Sequence, residues 1–354
     1  MAVKISVTIY YSIALLGMFL LARIVYGLSN RYLIFLACSV FVFSGSLSLH
    51  IAEGQTHMFG AAFFPFIVLG YELYLSRKRT GWLLLGGASL ALIIWSGGIY
   101  AAPLIALFLI AYAALRAAIE QSVTPLWGLA VLGVSAFLFS ALRLLPVMDY
   151  MRDYPRIVMG REFVPPAAWY DIFFGREQSL FTRFTLSDGG FPVGWKMQWD
   201  WHEYGSYVGV PIAAILGAAF VRVGVNARGG HRDGRDLALI LCWFGFFVLF
   251  IGDFSYVNPY RALKQFPIFS SFHVTGRFLL PVMFVASLLV MGFMGWVEKF
   301  LAPSRFLNYG AAIICVLIIG DLMWVTRQSL GEAFTIEPAT YERATQSLAK
   351  GGPY

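Results

Sequence analysis

Charged residues are scarce in this chain: they make up 13% of its 354 residues, against about 25% in soluble globular domains. Cysteines are also few: Cys38, Cys242 and Cys315 all lie inside apolar runs without metal-ligand or CxxC spacing, so we interpret them as small hydrophobic residues of the core. The formal net charge is +7. Its Lys and Arg residues fall in short segments between apolar runs and form no basic domain, so topology explains the charge and no nucleic-acid partner is expected.

Long apolar runs dominate instead, with 59% hydrophobic residues. Runs of about twenty residues recur, which is the length an α-helix needs to cross the hydrocarbon core, and the short alternating segments of a β-barrel are missing. We predict an all-α polytopic integral membrane helical bundle with about ten transmembrane helices. The predicted spans lie near 6–27, 32–50, 58–76, 82–97, 99–117, 125–147, 204–222, 237–255, 277–297 and 306–326.

The only sizeable polar insert divides the chain. We predict N-terminal transmembrane helices in 1–147, an external loop in 148–203, C-terminal transmembrane helices in 204–326 and an external tail in 327–354. Within the loop, aromatic residues in 169–174 and 179–184 indicate short amphipathic helices along the membrane, or else packed loop elements. The Ser96-Gly97-Gly98 sequence is either a tight turn between two spans or a break in one kinked element.

Basic residues mark every second loop. By the positive-inside rule these loops are cytoplasmic, so the loops around Glu53 and Gly97, the insert and the N-terminus are predicted outside. An external N-terminus suggests that further helices normally precede residue 1, or that a partner subunit supplies them. The loop with Arg261 and Lys264 is an exception to the alternation. The cytoplasmic set comprises Arg23, Arg31, Arg77, Lys78, Arg79, Arg116, Arg222, Arg228, Arg232, Arg235, Lys299 and Arg305.

The first polar candidates lie between the second and third spans. His50, Glu53 and His57 would share one face if the segment were a single helix. They could contact a ligand; alternatively, Gly54 marks a turn and the groups meet water. No cofactor is expected, and a divalent cation held by these side chains is the alternative.

Arg143 follows a long apolar run and should lie near the outer end of its span. Its side chain either reaches the interface simply to keep its charge in water, or faces an external cavity and binds a lipid phosphate.

The insert ends in two carboxylates close to indoles and an imidazole, directly before the seventh span. Asp200 and Glu203 could serve as general base and orienting group, with Trp201 and His202 meeting the ligand. They could equally cap the following helix.

His273 and Arg277 precede the ninth span. The helix dipole disfavours an arginine at this position, so a phosphate or carboxylate partner is expected for Arg277. Asp321 lies deep in the tenth run, where an isolated charge is costly. We expect it to pair with Arg277 or Arg327, or to be protonated.

Three ordered motifs resemble those of bacterial multi-spanning glycosyltransferases of the GT-C type. They are Glu53-Gly54-Gln55-Thr56-His57, Glu203-Tyr204-Gly205-Ser206-Tyr207-Val208-Gly209 and Phe272-His273-Val274-Thr275-Gly276-Arg277-Phe278. The resemblance implies a helical bundle in the bacterial cytoplasmic (inner) membrane, with an external active site that takes sugar from a polyprenyl-phosphate donor. The chain departs from the family pattern because the first external loop, which usually carries the catalytic Asp, and the helices before it are missing.

Two functions therefore stay open. The first is a glycosyltransferase, or its donor-binding part, in which Arg143 or Arg277 holds the lipid phosphate, Glu53, Asp200 or Glu203 is the base, and membrane lipids and a lipid-linked sugar are the partners. The second is a non-catalytic integral membrane subunit that packs against other proteins of a complex. A transporter is disfavoured, because internal repeats and many ionisable groups at mid-span are missing.

Overall fold

A computed structural model describes residues 2–154, 162–179, 200–228, 234–301, 305–331 and 345–346. Within these ranges the regular structure is helical, apart from one isolated antiparallel bridge between Phe163 and Gly252. The helices in chain order are α1 (Ala2–Leu20), α2 (Arg31–Val42), α3 (Gly45–Ala52), α4 (Phe64–Arg77), α5 (Gly81–Trp95), α6 (Ala101–Glu120), α7 (Thr124–Asp153), α8 (Pro166–Phe174), α9 (Gly209–Arg228), α10 (Gly234–Ile251), α11 (Pro259–Leu263), α12 (Pro267–Ser270), α13 (Leu279–Leu301) and α14 (Arg305–Gly331).

Eight helical segments of the described chain are long and apolar enough to cross a membrane. The bent pair α2–α3 could form a ninth span, and α5 is a shorter apolar helix. The prediction of an all-α polytopic membrane bundle is confirmed, and each predicted span corresponds to one of these segments. The sixth and tenth continue past their predicted ends at 147 and 326, because α7 runs to Asp153 and α14 to Gly331.

Two helices form the centre of the bundle. In the spans Thr56–Arg77 and Thr275–Leu301, 89% of the most apolar window is buried. The rings of Phe64 and Phe284 stack there with centroids 3.8 Å apart, and Phe41 and Phe108 pack edge-on against both. Each central span begins with a 3₁₀ turn, Thr56–Phe63 in one and Thr275–Phe278 in the other.

Three helices lie at the periphery. In α7, α9 and α14, only 28%, 17% and 17% of the apolar window is buried. Their outward side chains are mostly apolar, as lipid contact requires. The protein is therefore a multi-pass membrane protein whose outer helices contact lipid.

The loops at one end of the bundle are held together by charged residues; we call this end the basic face. Glu298 accepts hydrogen bonds from the backbone N–H groups of Ser29 (3.0 Å) and Asn30 (2.7 Å). The Arg235 guanidinium lies 4.3 Å from the centre of the Tyr26 ring. Arg222 donates a hydrogen bond to the carbonyl oxygen of Gly292 (2.7 Å). The segments around residues 53, 97, 203 and 277 lie at the opposite end, which we call the site face.

The second span is broken on its way to the site face. α2 and α3 meet at an angle of 50°. The side chain of Ser44 donates a hydrogen bond to the carbonyl of Phe41 (3.0 Å), and Thr326 of α14 donates one to the carbonyl of Phe43 (2.6 Å). These side chains replace helical hydrogen bonds lost at the break. The bend directs α3, and with it His50, towards the residues around Glu203.

Candidate functional site

The residues before α9 enter the bundle as a 3₁₀ turn, Trp201–Glu203. Trp201 anchors this turn: it is buried, and its indole N–H donates a hydrogen bond to the side-chain oxygen of Gln178 (3.1 Å). Behind it, Gly205 packs tightly: a Cβ atom at this position would lie only 2.3–2.6 Å from side-chain atoms of Leu49, Trp201 and Gln178, which would have to move. The turn is thereby fixed against α3, with Glu203 pointing inward.

Glu203 forms a two-point ion pair with Arg277. The guanidinium donates from Nε to Oε2 (3.0 Å) and from Nη2 to Oε1 (2.5 Å), and both side chains are more than nine-tenths buried. His50 approaches the same carboxylate, with Nε2 3.1 Å from Oε2, while its Nδ1 lies 2.8 Å from the carbonyl oxygen of Ser46. Since both ring nitrogens of His50 face acceptors, only the doubly protonated ring can donate to both.

His202 lies between two carboxylates. Its Nε2 is 3.7 Å from Oε1 of Glu203, and its Nδ1 is 3.9 Å from Oε2 of Glu53. The Glu53 side chain is 45% exposed, whereas that of Glu203 is 3% exposed. We call Glu203, Arg277, His50, His202 and Glu53 the Glu203 cluster.

The cluster leaves Glu203 a weak base. Burial alone would raise the pKa of its carboxyl, but neighbouring His202, His50 and Arg277 outweigh burial and hold that pKa well below its usual range. Glu203 therefore stays ionised and balances the charge of Arg277. Glu53, the more exposed carboxylate, is better placed to accept a proton.

Tyr100 forms an aromatic wall beside the cluster. The Arg277 guanidinium lies 3.8 Å from the centre of the Tyr100 ring, and the His57 ring packs on the same residue with centroids 5.2 Å apart. A guanidinium on an aromatic face is held in a fixed orientation as well as stabilised. Arg277 and His57, 220 positions apart in the sequence, thus meet on one side chain.

Several buried polar atoms around the cluster have no hydrogen-bond partner in the part of the chain that the structure describes. They include Nη1 of Arg277, Nε2 of His57 and Nδ1 of His202. A buried donor without a partner costs about 1–3 kcal/mol, and more if it is charged. The arrangement therefore suits an anionic ligand, which would receive hydrogen bonds from Arg277 and His57.

Glu162 is a second buried carboxyl near the cluster that sequence reasoning missed. It accepts hydrogen bonds from the hydroxyl of Tyr204 and from the backbone N–H of Thr275 (2.6 Å). Its own backbone carbonyl accepts a hydrogen bond from the N–H of Asp253 (2.7 Å). Burial, partly offset by the Thr275 hydrogen bond, raises the pKa of Glu162 to about 8. No sequence pattern marks this residue, because its burial depends on contacts with positions about 90 to 110 residues away.

Three predicted site residues lie outside the hydrogen-bonded core of the cluster. Asp200 is exposed at the start of the 3₁₀ turn, and its side chain does not cap that turn. Arg143 is also exposed, and donates a hydrogen bond to the carbonyl of Trp95 at the end of α5 (2.7 Å). His273 is buried, with Nδ1 3.0 Å from the carbonyl oxygen of Ser271.

Asp321 has other partners than those predicted. It forms an ion pair with Arg176 (2.7 Å) and accepts a hydrogen bond from the hydroxyl of Tyr207 (2.6 Å), so the expectation of Arg277 or Arg327 was wrong. Sequence spacing could not show this, because Arg176 belongs to the segment after α8 that packs against α14 only in the folded chain.

The structure also decides several predictions about loops. Ser96-Gly97-Gly98 is a turn between α5 and α6, with Gly97 at φ +85°. The first predicted amphipathic helix is α8, while the second, at 179–184, lies outside the described residues from position 180 onward. Arg261, which departs from the alternation of basic loops, is paired with Asp253 (2.6 Å).

A metal centre has no support in the described ranges. Among their residues, no group of three or more His, Cys, Asp or Glu side chains could hold a metal ion. Within the Glu203 cluster, the guanidinium of Arg277 supplies positive charge beside the Glu203 carboxylate. No protein-family model matches the chain, and no curated protein matches it.

Proposed function

We propose that the Glu203 cluster binds the phosphate of a lipid-linked sugar, and that the chain is a glycosyltransferase-like protein of the bacterial cytoplasmic membrane. The observation that carries this proposal is the buried guanidinium of Arg277, which is fixed by Glu203 and Tyr100 yet has Nη1 without a partner in the described chain. Arginine held in this way recognises phosphate oxygens through charge-assisted hydrogen bonds. The cluster also lies at the ends of apolar helices, where a lipid headgroup would be found.

The roles of the carboxylates follow from their surroundings. Glu203 orients Arg277 and His50 and is a poor proton acceptor, because its pKa is well below the usual range. Glu53 accepts the proton of the acceptor hydroxyl as the new bond forms between that oxygen and the anomeric carbon. The bond between the anomeric carbon and the phosphate oxygen breaks, and its electron pair stays on the lipid phosphate, which Arg277 and His57 stabilise.

The topology belongs to the same proposal. The loops of the basic face contain most of the basic residues between spans, so the positive-inside rule assigns that face to the cytoplasm. The site face and the N-terminus are then external, where the acceptor of an exported glycan would be met.

The binding step is tested with the full chain in nanodiscs of zwitterionic lipid, using a polyprenyl phosphate and, separately, inorganic phosphate as probes. Arg277→Gln should weaken polyprenyl phosphate binding by roughly 10- to 100-fold, the equivalent of a charge-assisted hydrogen bond. His57→Phe keeps an aromatic ring on Tyr100 but removes the ring nitrogen, and should weaken polyprenyl phosphate binding by about 3- to 10-fold.

The control for both variants is Arg152→Gln, at an exposed arginine paired with Asp149 on the site face. Equal affinity in all four proteins would contradict the phosphate site. Equal binding of both probes would assign the site to free phosphate.

The transfer step is tested separately. Glu53→Gln should lower sugar transfer from a polyprenyl-phosphate-linked hexose by about 10²- to 10⁴-fold while leaving polyprenyl phosphate binding unchanged. Asp149→Asn, at an exposed carboxylate, is the matched control. Phosphate binding without transfer by the wild-type protein would instead support the non-catalytic subunit.

A further inference from the structure

We propose that Glu162 is a positioning residue for the Glu203 cluster. Its carboxyl joins the two 3₁₀ turns that carry Glu203 and Arg277, and its protonation makes anion binding at the cluster dependent on pH. The anion is the lipid phosphate of the proposed function, so the inference rests on that function. Glu162 itself need not touch the ligand.

The geometry of the joint supports the positioning role. One oxygen of Glu162 accepts from the hydroxyl of Tyr204, the residue after Glu203. The other accepts from the backbone N–H of Thr275, two residues before Arg277 (2.6 Å). The carboxyl thus holds the Trp201–Glu203 turn and the Thr275–Phe278 turn together from one side.

The two turns also touch directly. A Cβ atom at Gly276 would overlap the carbonyl oxygen of Glu203, so the backbones are in contact at this position. Glu162 is fixed in turn by the antiparallel bridge next to it, in which Phe163 pairs with Gly252. Displacement of the Glu162 carboxyl would therefore be transmitted to the ion pair of Glu203 and Arg277.

The charge of Glu162 matters because the residue is 1% exposed and two of its electrostatic neighbours, Glu203 and Arg277, belong to the cluster. The titratable groups that face it are Tyr204, Glu203, Arg277, Tyr260 and Lys264. Burial is the main reason that its pKa rises to about 8; Glu203 raises this pKa further, while Thr275 and Arg277 lower it. Most molecules therefore carry a neutral Glu162 at pH 7.

The direction of the pH effect follows from the sign of the charge. While Glu162 is protonated, Glu203 is the only buried carboxylate that an incoming anion meets beside Arg277 among the cluster residues. Ionisation of Glu162 adds a second buried negative charge beside Glu203, which repels the anion. Anion affinity should consequently fall as pH rises through about 8. We expect a decrease of roughly fivefold or more, since about fivefold is the lower end of typical coupling between two sites.

The experiment uses the full chain in zwitterionic nanodiscs and dicetyl phosphate, a phosphodiester that stays singly charged over the range tested. Affinity is measured between about pH 7 and pH 10 for the wild type, Glu162→Gln and Glu162→Asp. The wild type should show a one-proton decrease of fivefold or more, Glu162→Gln should keep the high-affinity value throughout, and Glu162→Asp should restore a pH step. Asp149→Asn and Lys264→Gln are controls that should keep the wild-type step. Lys264→Gln is included because burial lowers the pKa of Lys264, so this variant separates any titration of the lysine from that of Glu162.

An unchanged step in Glu162→Gln, or a wild type without any step, would overturn the inference. Infrared pH-difference spectra provide a readout independent of binding: the wild type should lose a protonated carboxyl band on going to high pH, and Glu162→Gln should not. If Glu162→Gln does not fold, Glu162→Asp provides the test. A protonated carboxyl band with the same position and the same pH dependence as in the wild type would then contradict its assignment to Glu162. Failure of the wild type to bind polyprenyl phosphate at any pH would instead overturn the proposed function, and the infrared titration would still decide whether Glu162 is the protonated group.

Discussion

At the scale of single residues, the site depends on Glu203. One carboxylate accepts two hydrogen bonds from Arg277 and faces the ring nitrogen of His50, so three buried polar side chains are coupled through it. Such a pair contributes less to stability than its number of contacts suggests, because both partners lose hydration. The loss of one partner is costly, since the other is left buried without compensation.

Glu203→Gln should therefore destabilise the protein by about 3–5 kcal/mol. The contribution of Glu203 to stability also depends on pH, because its pKa is lower in the folded protein than in the unfolded chain. The stabilisation is fully present above the unfolded pKa of about 4.3 and is lost as the pH falls below that value. Chemical denaturation of the detergent-solubilised protein at several pH values measures both effects. Asp149→Asn, at an exposed position, should change stability by less than about 0.5 kcal/mol. A similar small change for Glu203→Gln would show that the ion pair is dispensable.

At the scale of elements, the site is formed where helices begin and end. The 3₁₀ turns Thr56–Phe63 and Thr275–Phe278 open the two most buried spans, and Trp201–Glu203 precedes α9. The polar side chains thereby remain at the site face while the apolar helices that follow are buried. Close backbone contact, above all at Gly276, sets the distance between the turns.

Gly276→Ala should consequently push the two turns apart, because the new Cβ atom would overlap the carbonyl oxygen of Glu203. We expect a loss of about 1–3 kcal/mol from overpacking, together with weaker polyprenyl phosphate binding. The matched control is Gly217→Ala in α9, where a Cβ atom meets nothing within 4 Å; this change should be neutral or stabilise the helix slightly. If both variants behave alike in denaturation and binding, the turns are not in close contact.

At the scale of the whole molecule, the two ends of the bundle differ in their charged residues. Cys38, Cys242 and Cys315 are all buried, so the natural thiols should react slowly with membrane-impermeant reagents. Cysteine introduced at Asp149 on the site face should react in intact cells, whereas cysteine at Val123, an exposed residue of the α6–α7 loop at the basic face, should react only after the membrane is opened. The reverse pattern would place the Glu203 cluster in the cytoplasm and contradict an external site.

Sequence reasoning predicted the fold well because hydropathy reports directly on contact with lipid. It also selected Glu53, His57, Trp201, His202, Glu203 and Arg277, which the structure brings together, since buried charge in an apolar chain is conspicuous. It could not predict the partners of these charges. The contacts of His50 with Glu203, Tyr207 with Asp321 and Thr275 with Glu162 join positions 153, 114 and 113 residues apart, and depend on how the helices pack.

The break between α2 and α3 also bears on the order of events during biosynthesis. The carbonyl of Phe43 is satisfied by Thr326 of α14, and Gly45 lies against the backbone of Gly205. Lipid could supply neither contact, so a nascent chain that has not yet inserted α14 lacks the support for its bent span. We therefore expect His50 to reach Glu203 stably only once α14 has packed against the bend, so that the Glu203 cluster assembles late, when the helices around it are already in the bilayer.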